Sequence, residues 1–397
     1  MKQEANSKLQ LLAVSHGLNH VYQLLTPVII PEIAREYGLA NAALFLECFV
    51  ITYSLLPTIS GYISQVFGRK KVLSLGFAVT ALAFLAIAFT NNIAGLAALF
   101  LVAGAGGSTY HPNGTPLIAE IYSDRRGQAI GLHVTGGVLG SVLGPLASGV
   151  LVAYFTLKPA LVVLAIPGLV LSLILWRSMS SLPLLEKSNI NPVQTSRIRK
   201  IDLKTYGAAF MFIAAAFVFA LGQRGTDAFA NEYFVYGRNL SLIQGSLLFS
   251  SLSVAGLLSA PLCGFLSDRF DRKKVLAVLV AVESASLFAI TLTPNLLLVV
   301  PCIVFGFASF GAMGVGEAFL ADIVPAQKRN IIFGINYTVN FSGSIFLIPV
   351  LFTTARLSNF NLGFIILSAI IPLSIILIWK TKVESDKKNQ CTTPTQY

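Results

Sequence analysis

The sequence predicts an all-α, polytopic membrane protein with twelve transmembrane helices in two pseudo-symmetric six-helix halves. Three observations carry this. Of the 397 residues, 55% are hydrophobic and 11% charged, with a mean hydropathy of +0.75, whereas a soluble domain carries about 25% charged residues. Apolar runs long enough to cross a bilayer core of about 30 Å, at roughly 20 helical residues each, recur twelve times. A charged motif then repeats at a fixed distance along the chain. The first observation alone excludes soluble enzymes, nucleic-acid-binding domains, disulfide-stapled secreted domains and disordered chains.

Apolar runs bounded by charge or by Gly, Pro and Asn place the spans near 9–31, 43–66, 71–91, 93–121, 127–155, 159–177, 204–223 (or on to 236), 241–266, 275–293, 295–322, 330–354 and 359–379. Sorting the basic residues orients them. With the N-terminus inside, 23 of the 28 Lys and Arg lie on the inner side and Arg35, Lys158, Arg224, Arg238 and Arg356 on the outer side. This positive-inside pattern predicts cytoplasmic termini, and in the absence of an organelle signal the plasma membrane is the expected location. The segment Met1–Gln10 is polar and no small-residue cleavage site follows, so the first span is expected to stay in the mature chain. The cysteines Cys48, Cys263, Cys302 and Cys391 are scattered and read as packing residues. No metal site and no cofactor is expected from their spacing.

The run from Gly61 through Gln65, Gly68, Arg69, Lys70 and Lys71 recurs 203 residues later as Gly264, Asp268, Asp271, Arg272, Lys273 and Lys274. Ala119-Glu120 similarly matches Ala321-Asp322, Arg126 matches Arg329, and Gly131 matches Gly334. The expected organisation is an N-terminal six-helix half (1–177), a cytoplasmic linker (178–203), a C-terminal half (204–380) and a tail (381–397). Parallel halves of this kind are a transporter architecture, with substrate held near the midplane between them.

At these residues the chain resembles the major facilitator superfamily, whose mark is a Gly-x-x-x-Asp-x-x-Gly-Arg-Lys/Arg-type loop after spans 2 and 8. The resemblance implies alternating access, with the halves rocking about a central cavity. Independently of the family, Gly61 and Gly264 would let helices approach closely, and Asp268 could cap a neighbouring helix or pair with an Arg. The resemblance further implies a cytoplasmic gate in which Asp268 and Asp322 hold Arg126, and Gln65 and Glu120 face Arg329. Gln65 stands where the family has Asp, so the N-terminal latch is expected to be the weaker one. The remaining reading of these charges is that they anchor topology.

Ionisable groups inside spans cost roughly 2.5–3.5 kcal/mol each on insertion scales, which makes them functional candidates. His16, Asn19, His20 and Gln23 form one stripe on span 1, beyond which Pro27 and Pro31 should kink or stop the helix. Span 4 carries Tyr110, His111, Pro112 and Asn113 after a glycine run; span 5 carries Gly136, Gly137, Gly140, Gly144 and Pro145. These elements look like the fosmidomycin-resistance branch of drug exporters, and the Gly140–Pro145 run is similar to the motif of proton antiporters. His20 stands where that branch has Asp, and Asn113 and Pro116 where charged residues follow, so a histidine would have to take the coupling proton. In the second half, Arg224, Asp227 and Asn231 are either a cavity stripe with an Arg–Asp pair, if span 7 reaches Tyr236, or outer-loop residues. Glu317 is the preferred carboxylate for protonation, while Glu283 on peripheral span 9 reads as a buried structural acid.

The function expected is proton-coupled efflux of small organic or drug-like molecules. The alternative is proton-coupled uptake of a small anionic metabolite on Arg224, His16 and His111, with a membrane-embedded enzyme a remote third. No phosphate-binding G-x-x-x-x-G-K-[ST] loop is present for an ATP-driven pump. The expected partners are a small-molecule substrate, protons and the lipid bilayer, with no nucleic acid, and the chain is expected to be a monomer.

Overall fold

A computed structural model describes residues 2–122, 126–178, 203–324 and 329–381. Among the described residues there is no β-strand, and sixteen α-helices trace twelve crossings. The first six are α1 (Lys2–Tyr37), α2 with α3 (Leu39–Leu55, Pro57–Phe67), α4 (Arg69–Ile87), α5 with α6 (Ile93–Gly107, His111–Ile121), α7 (Arg126–Phe155) and α8 (Leu157–Ser178). The second six are α9 (Leu203–Glu232), α10 with α11 (Leu242–Val254, Gly256–Arg269), α12 (Arg272–Leu292), α13 (Val299–Ile323), α14 (Arg329–Arg356) and α15 with α16 (Phe360–Ile370, Leu373–Lys380). Among the described residues, ten helices are long and apolar enough to cross a membrane, and the bent pair α2–α3 makes an eleventh. Helix α1 is also long enough, about 54 Å at 1.5 Å per residue, but its polar stripe lowers its hydropathy. The linker expected at 178–203 falls, beyond Ser178 and Leu203, outside the described residues, as does the tail beyond 381.

Local sequence explains the breaks. Pro57, at the start of α3, lacks the N–H that a continuous helix would need and sits at a 52° bend. Pro112 occupies the first turn of α6 and splits span 4 at the glycine run. Pro27 and Pro31 do not stop α1, which continues to Tyr37. Span 7 braces that stretch, with Asn231 donating to the Val28 carbonyl at 3.0 Å and Tyr236 to the Pro31 carbonyl at 2.8 Å. Span 7 continues through a π-helical turn, Tyr233–Gly237, and so takes the longer of the two expected courses.

The packing repeats between halves. Helix α1 lies on α7 as α9 lies on α14, α2 on α5 as α10 on α13, and α4 on α8 as α12 on α15. The halves meet where α7 packs on α10, α2 on α14 and α1 on α9. Large apolar side chains such as Phe89, Leu258 and Leu292 are exposed around the bundle, a surface that only lipid can cover.

The two basic loops differ from expectation in detail. Asp268 bonds Arg272 at 2.7 Å, and Asp322 takes the same guanidinium at 2.9 Å. Both gate carboxylates therefore share one guanidinium of the C-terminal half. The helix cap is supplied by Asp271, which accepts from the Lys274 N–H at 3.0 Å, while the matching position Gly68 has φ +87° and offers no side chain. A Cβ at Gly264 would meet nothing within 4 Å among the described residues; at Gly61 it would touch Pro112 at an ordinary 3.6 Å. Gln65 is exposed, and the side chains of Glu120, Arg126 and Arg329 lie outside the described residues.

Candidate functional site

Helices α1 and α7 form the tightest seam of the N-terminal half because small residues recur every four positions on both. A Cβ at Gly136 would collide with the Ala13 carbonyl, one at Gly140 with the Gly17 carbonyl, and one at Gly144 would lie 2.9 Å from the Val21 Cα. Gly140 and Gly144 thus act first as contact residues, and Pro145 continues inside α7 without breaking it. This backbone contact sets the polar stripe of α1 against the polar residues of α7.

All four histidines of the chain meet beside the seam. His16 and His133 stack with ring centroids 4.1 Å apart at 13°, and His16 also stacks on Tyr110 at 5.3 Å. His20 lies 4.8 Å from His16, and His111 packs edge-on against both at 5.3 and 5.5 Å. His16 Nδ1 sits 2.9 Å from the His133 carbonyl. A carbonyl only accepts, so Nδ1 carries the proton and Nε2 of the neutral ring presents a lone pair. That Nε2 is 3.2 Å from His20 Nε2, and His20 Nδ1 is 3.2 Å from Ser141 Oγ. Gly137 makes room for the arrangement, since a Cβ there would lie 2.5 Å from His16 Cε1. Tyr110 is locked by donating to the Leu12 carbonyl at 2.6 Å.

A second polar group lines the interface between halves. Arg224 and Asp227 pair at 3.2 Å with side chains 13% and 25% exposed, which moves Arg224 from the outer loop into the bundle. The Arg224 guanidinium lies 4.6 Å over the Phe341 ring, and His111 packs on the same ring at 5.6 Å. Phe341 therefore links the histidines to the ion pair. Asn19 donates to Tyr53 Oη at 3.0 Å, and Tyr53 donates to Gln23 Oε1 at 3.2 Å. Gln23, Tyr53, Arg224, Asp227 and Phe341 line one cavity of about 40 Å³, too small in this conformation for a drug-sized molecule.

Other expected site residues lie apart. Asn113 is fully buried and donates to Ser60 at 3.2 Å inside the N-terminal half. Asn231 serves the α1–α9 contact already described. Glu317 accepts from Tyr337 at 2.8 Å within the C-terminal half, and Glu283 is 1% exposed in α12. Sequence reasoning missed His133, Tyr53 and Phe341. His133 was discoverable as an ionisable residue in an apolar span; Tyr53 and Phe341 have no signal within their own spans.

A two-half helical bundle with its polar side chains gathered at the interface is the architecture of a secondary transporter. Comparison with known proteins agrees. The Major Facilitator Superfamily model matches residues 12–254 and 212–395, and the chain belongs to that family. It is similar to the Fosmidomycin resistance protein of Escherichia coli K12, 24% identical over 373 residues, covering 82% of this chain and 88% of that protein. It is 30% identical over 223 residues to the Multidrug resistance protein MdtG of Salmonella arizonae, covering 53% and 52% of the two chains. A bacterial homologue of the human lysosomal transporter Spinster, in an inward-facing and occupied conformation, superposes with a TM-score of 0.75 at 15% identity over 94% of this chain and 96% of that one.

Proposed function

We propose that this transporter exports small organic, drug-like molecules in exchange for protons. The observation that carries the reading is the junction at Phe341, where the histidine cluster meets the Arg224–Asp227 pair at the interface of the halves. The named resistance relatives support the direction and the substrate class. The alternative, uptake of an anionic metabolite, is less well served because Asp227 already neutralises Arg224.

The proton and the substrate would occupy adjoining sites. A proton reaching the His16–His20 pair is shared between two ring nitrogens 3.2 Å apart, and the added charge faces the cavity across His111 and Phe341. A cationic substrate beside Asp227 and a proton on the histidines then disfavour each other, which is the coupling an antiporter needs. In the described conformation the contacts Asn231–Val28, Tyr236–Pro31 and Gly149–Ser246 close the end opposite the basic loops. Rocking of the halves about α2–α14 and α7–α10 would open that end. The chain acts as a monomer in the plasma membrane on this reading, with both termini cytoplasmic and with half boundaries at 1–177 and 204–380.

Inverted vesicles test the proposal. An inside-acid gradient should drive dye or drug accumulation in wild type; His20→Gln should abolish gradient-driven accumulation while leaving substrate counterflow. Accumulation by His20→Gln equal to wild type would refute the histidine as proton carrier, and accumulation driven by the opposite gradient would favour uptake.

A further inference from the structure

The histidine cluster has a second chemical capacity that proton transport does not require. One ring nitrogen from each of His16, His20 and His111 lies within 4.8 Å of the others. The ring nitrogens of His16 and His20 are 3.2 Å apart. Two imidazole nitrogens bound to one tetrahedral zinc-class ion at 2.0–2.1 Å stand about 3.3 Å apart, so this pair already has the length of a coordination edge. His111 has an Nε2 that is buried and without a hydrogen-bond partner, and its ligating nitrogen, within 4.8 Å of the other two, needs a shift of at most about 1.5 Å to reach the same edge length.

The surroundings orient the nitrogens as a metal site would. The His133 carbonyl takes the His16 Nδ1 proton at 2.9 Å, leaving Nε2 free toward the centre. Ser141 can bond the Gly137 carbonyl at 3.3 Å while accepting from His20 Nδ1 at 3.2 Å, which frees His20 Nε2 in the same way. Fixing a ligating ring through its far nitrogen is how outer-shell groups hold a metal-bound histidine. Without a proton or a cation between them, two lone pairs facing each other at this separation repel. The set is three neutral imidazoles on two helices, two on α1 and one at the head of α6, with a remaining position toward Phe341 and the cavity. Imidazole donors favour zinc, copper, nickel and cobalt over magnesium or calcium.

We propose that His16, His20 and His111 form a binding site for one divalent transition cation of the zinc class, inside the N-terminal half and next to the transport cavity. This departs from the expectation of no metal site, which rested on the cysteines. It goes beyond the export reading and is tested without transport.

Full-length protein in nanodiscs, purified without a polyhistidine tag, is titrated with Co²⁺ and read by its visible ligand-field bands, then displaced with Zn²⁺. The expected result is one Co²⁺ per chain, with at least tenfold weaker binding in His20→Gln and in His111→Gln and unchanged binding in Cys48→Ala. Absence of the bands in folded wild type, or undiminished binding in the double variant His20→Gln/His111→Gln, overturns the site, the latter as a surface cation only. If the variants do not fold, X-ray absorption on Zn²⁺-loaded wild type decides: three imidazole ligands support the proposal, and a shell of oxygen or sulfur refutes it. The transport reading stands or falls separately on the vesicle assay.

Discussion

Replacing Gly137 by alanine probes the histidine seat with one methyl group. The new Cβ would lie 2.5 Å from His16 Cε1 and 2.6 Å from Nδ1, well inside contact distance. The ring cannot easily retreat, because His133 stacks on one face at 4.1 Å and the α1–α7 backbones already touch at Gly136 and Gly140. Overpacking of this kind costs about 1–3 kcal/mol, and loss of the His16–His133 bond adds about 1 kcal/mol. Alanine over glycine in a helix returns about 1 kcal/mol. The net expectation is a destabilisation of about 1–3 kcal/mol together with loss of proton coupling. The control is Gly207→Ala, where a Cβ meets nothing within 4 Å and only the favourable helix term remains. Thermal unfolding in detergent, alongside vesicle transport, reads both consequences. A Gly137→Ala protein that melts at or above wild type and transports normally would refute the assignment of Gly137 as the residue that seats His16. Adding His16→Ala to Gly137→Ala should recover the stability lost to overlap but not the coupling.

Further outcomes follow from the same geometry. Asp227→Asn leaves the largely buried Arg224 charge without its partner; breaking a fully buried pair costs 3–5 kcal/mol, and with Asp227 25% exposed about 1–3 kcal/mol is expected, partly recovered in thermal melts by adding Arg224→Gln. Asp268→Asn removes a pair whose carboxylate is 66% exposed, so it should shift stability by less than about 1 kcal/mol; a larger fall in the melting curve would show that the loop contributes more than its exposure implies. Gly149→Val places side-chain atoms where Ser246 sits and should open the end opposite the basic loops. This is measured as faster maleimide labelling of a cysteine introduced by Asn231→Cys, a position that is fully buried when that end is closed.

Much of the fold was legible because lipid imposes a simple rule: every span must be long and apolar. Composition, the span pattern and the repeat at 203 residues therefore anticipated twelve crossings in two halves. The site was legible in part. His16, Asn19, His20 and Gln23 announced themselves as a stripe on one helix, and the i, i+3 spacing of Arg224 and Asp227 anticipated their pair. At the gate Asp268 and Asp322 share Arg272, while the Arg126 and Arg329 side chains of the expected latches lie outside the described residues. In sequence, Arg272 is only one of four basic residues between Arg269 and Lys274, and nothing there distinguishes it.

By itself, then, the sequence determined the solvent, the number of crossings, the two-fold repeat and the transporter class, all of which depend on periodicity and composition along one dimension. Tertiary structure decided which residues meet. His133 joins His16 because Gly136 and Gly140 let two backbones touch, and Phe341 joins His111 to Arg224 because α14 crosses α2 at the interface of the halves. Convergence of side chains from distant spans is set by helix packing, and no spacing within a single span records it.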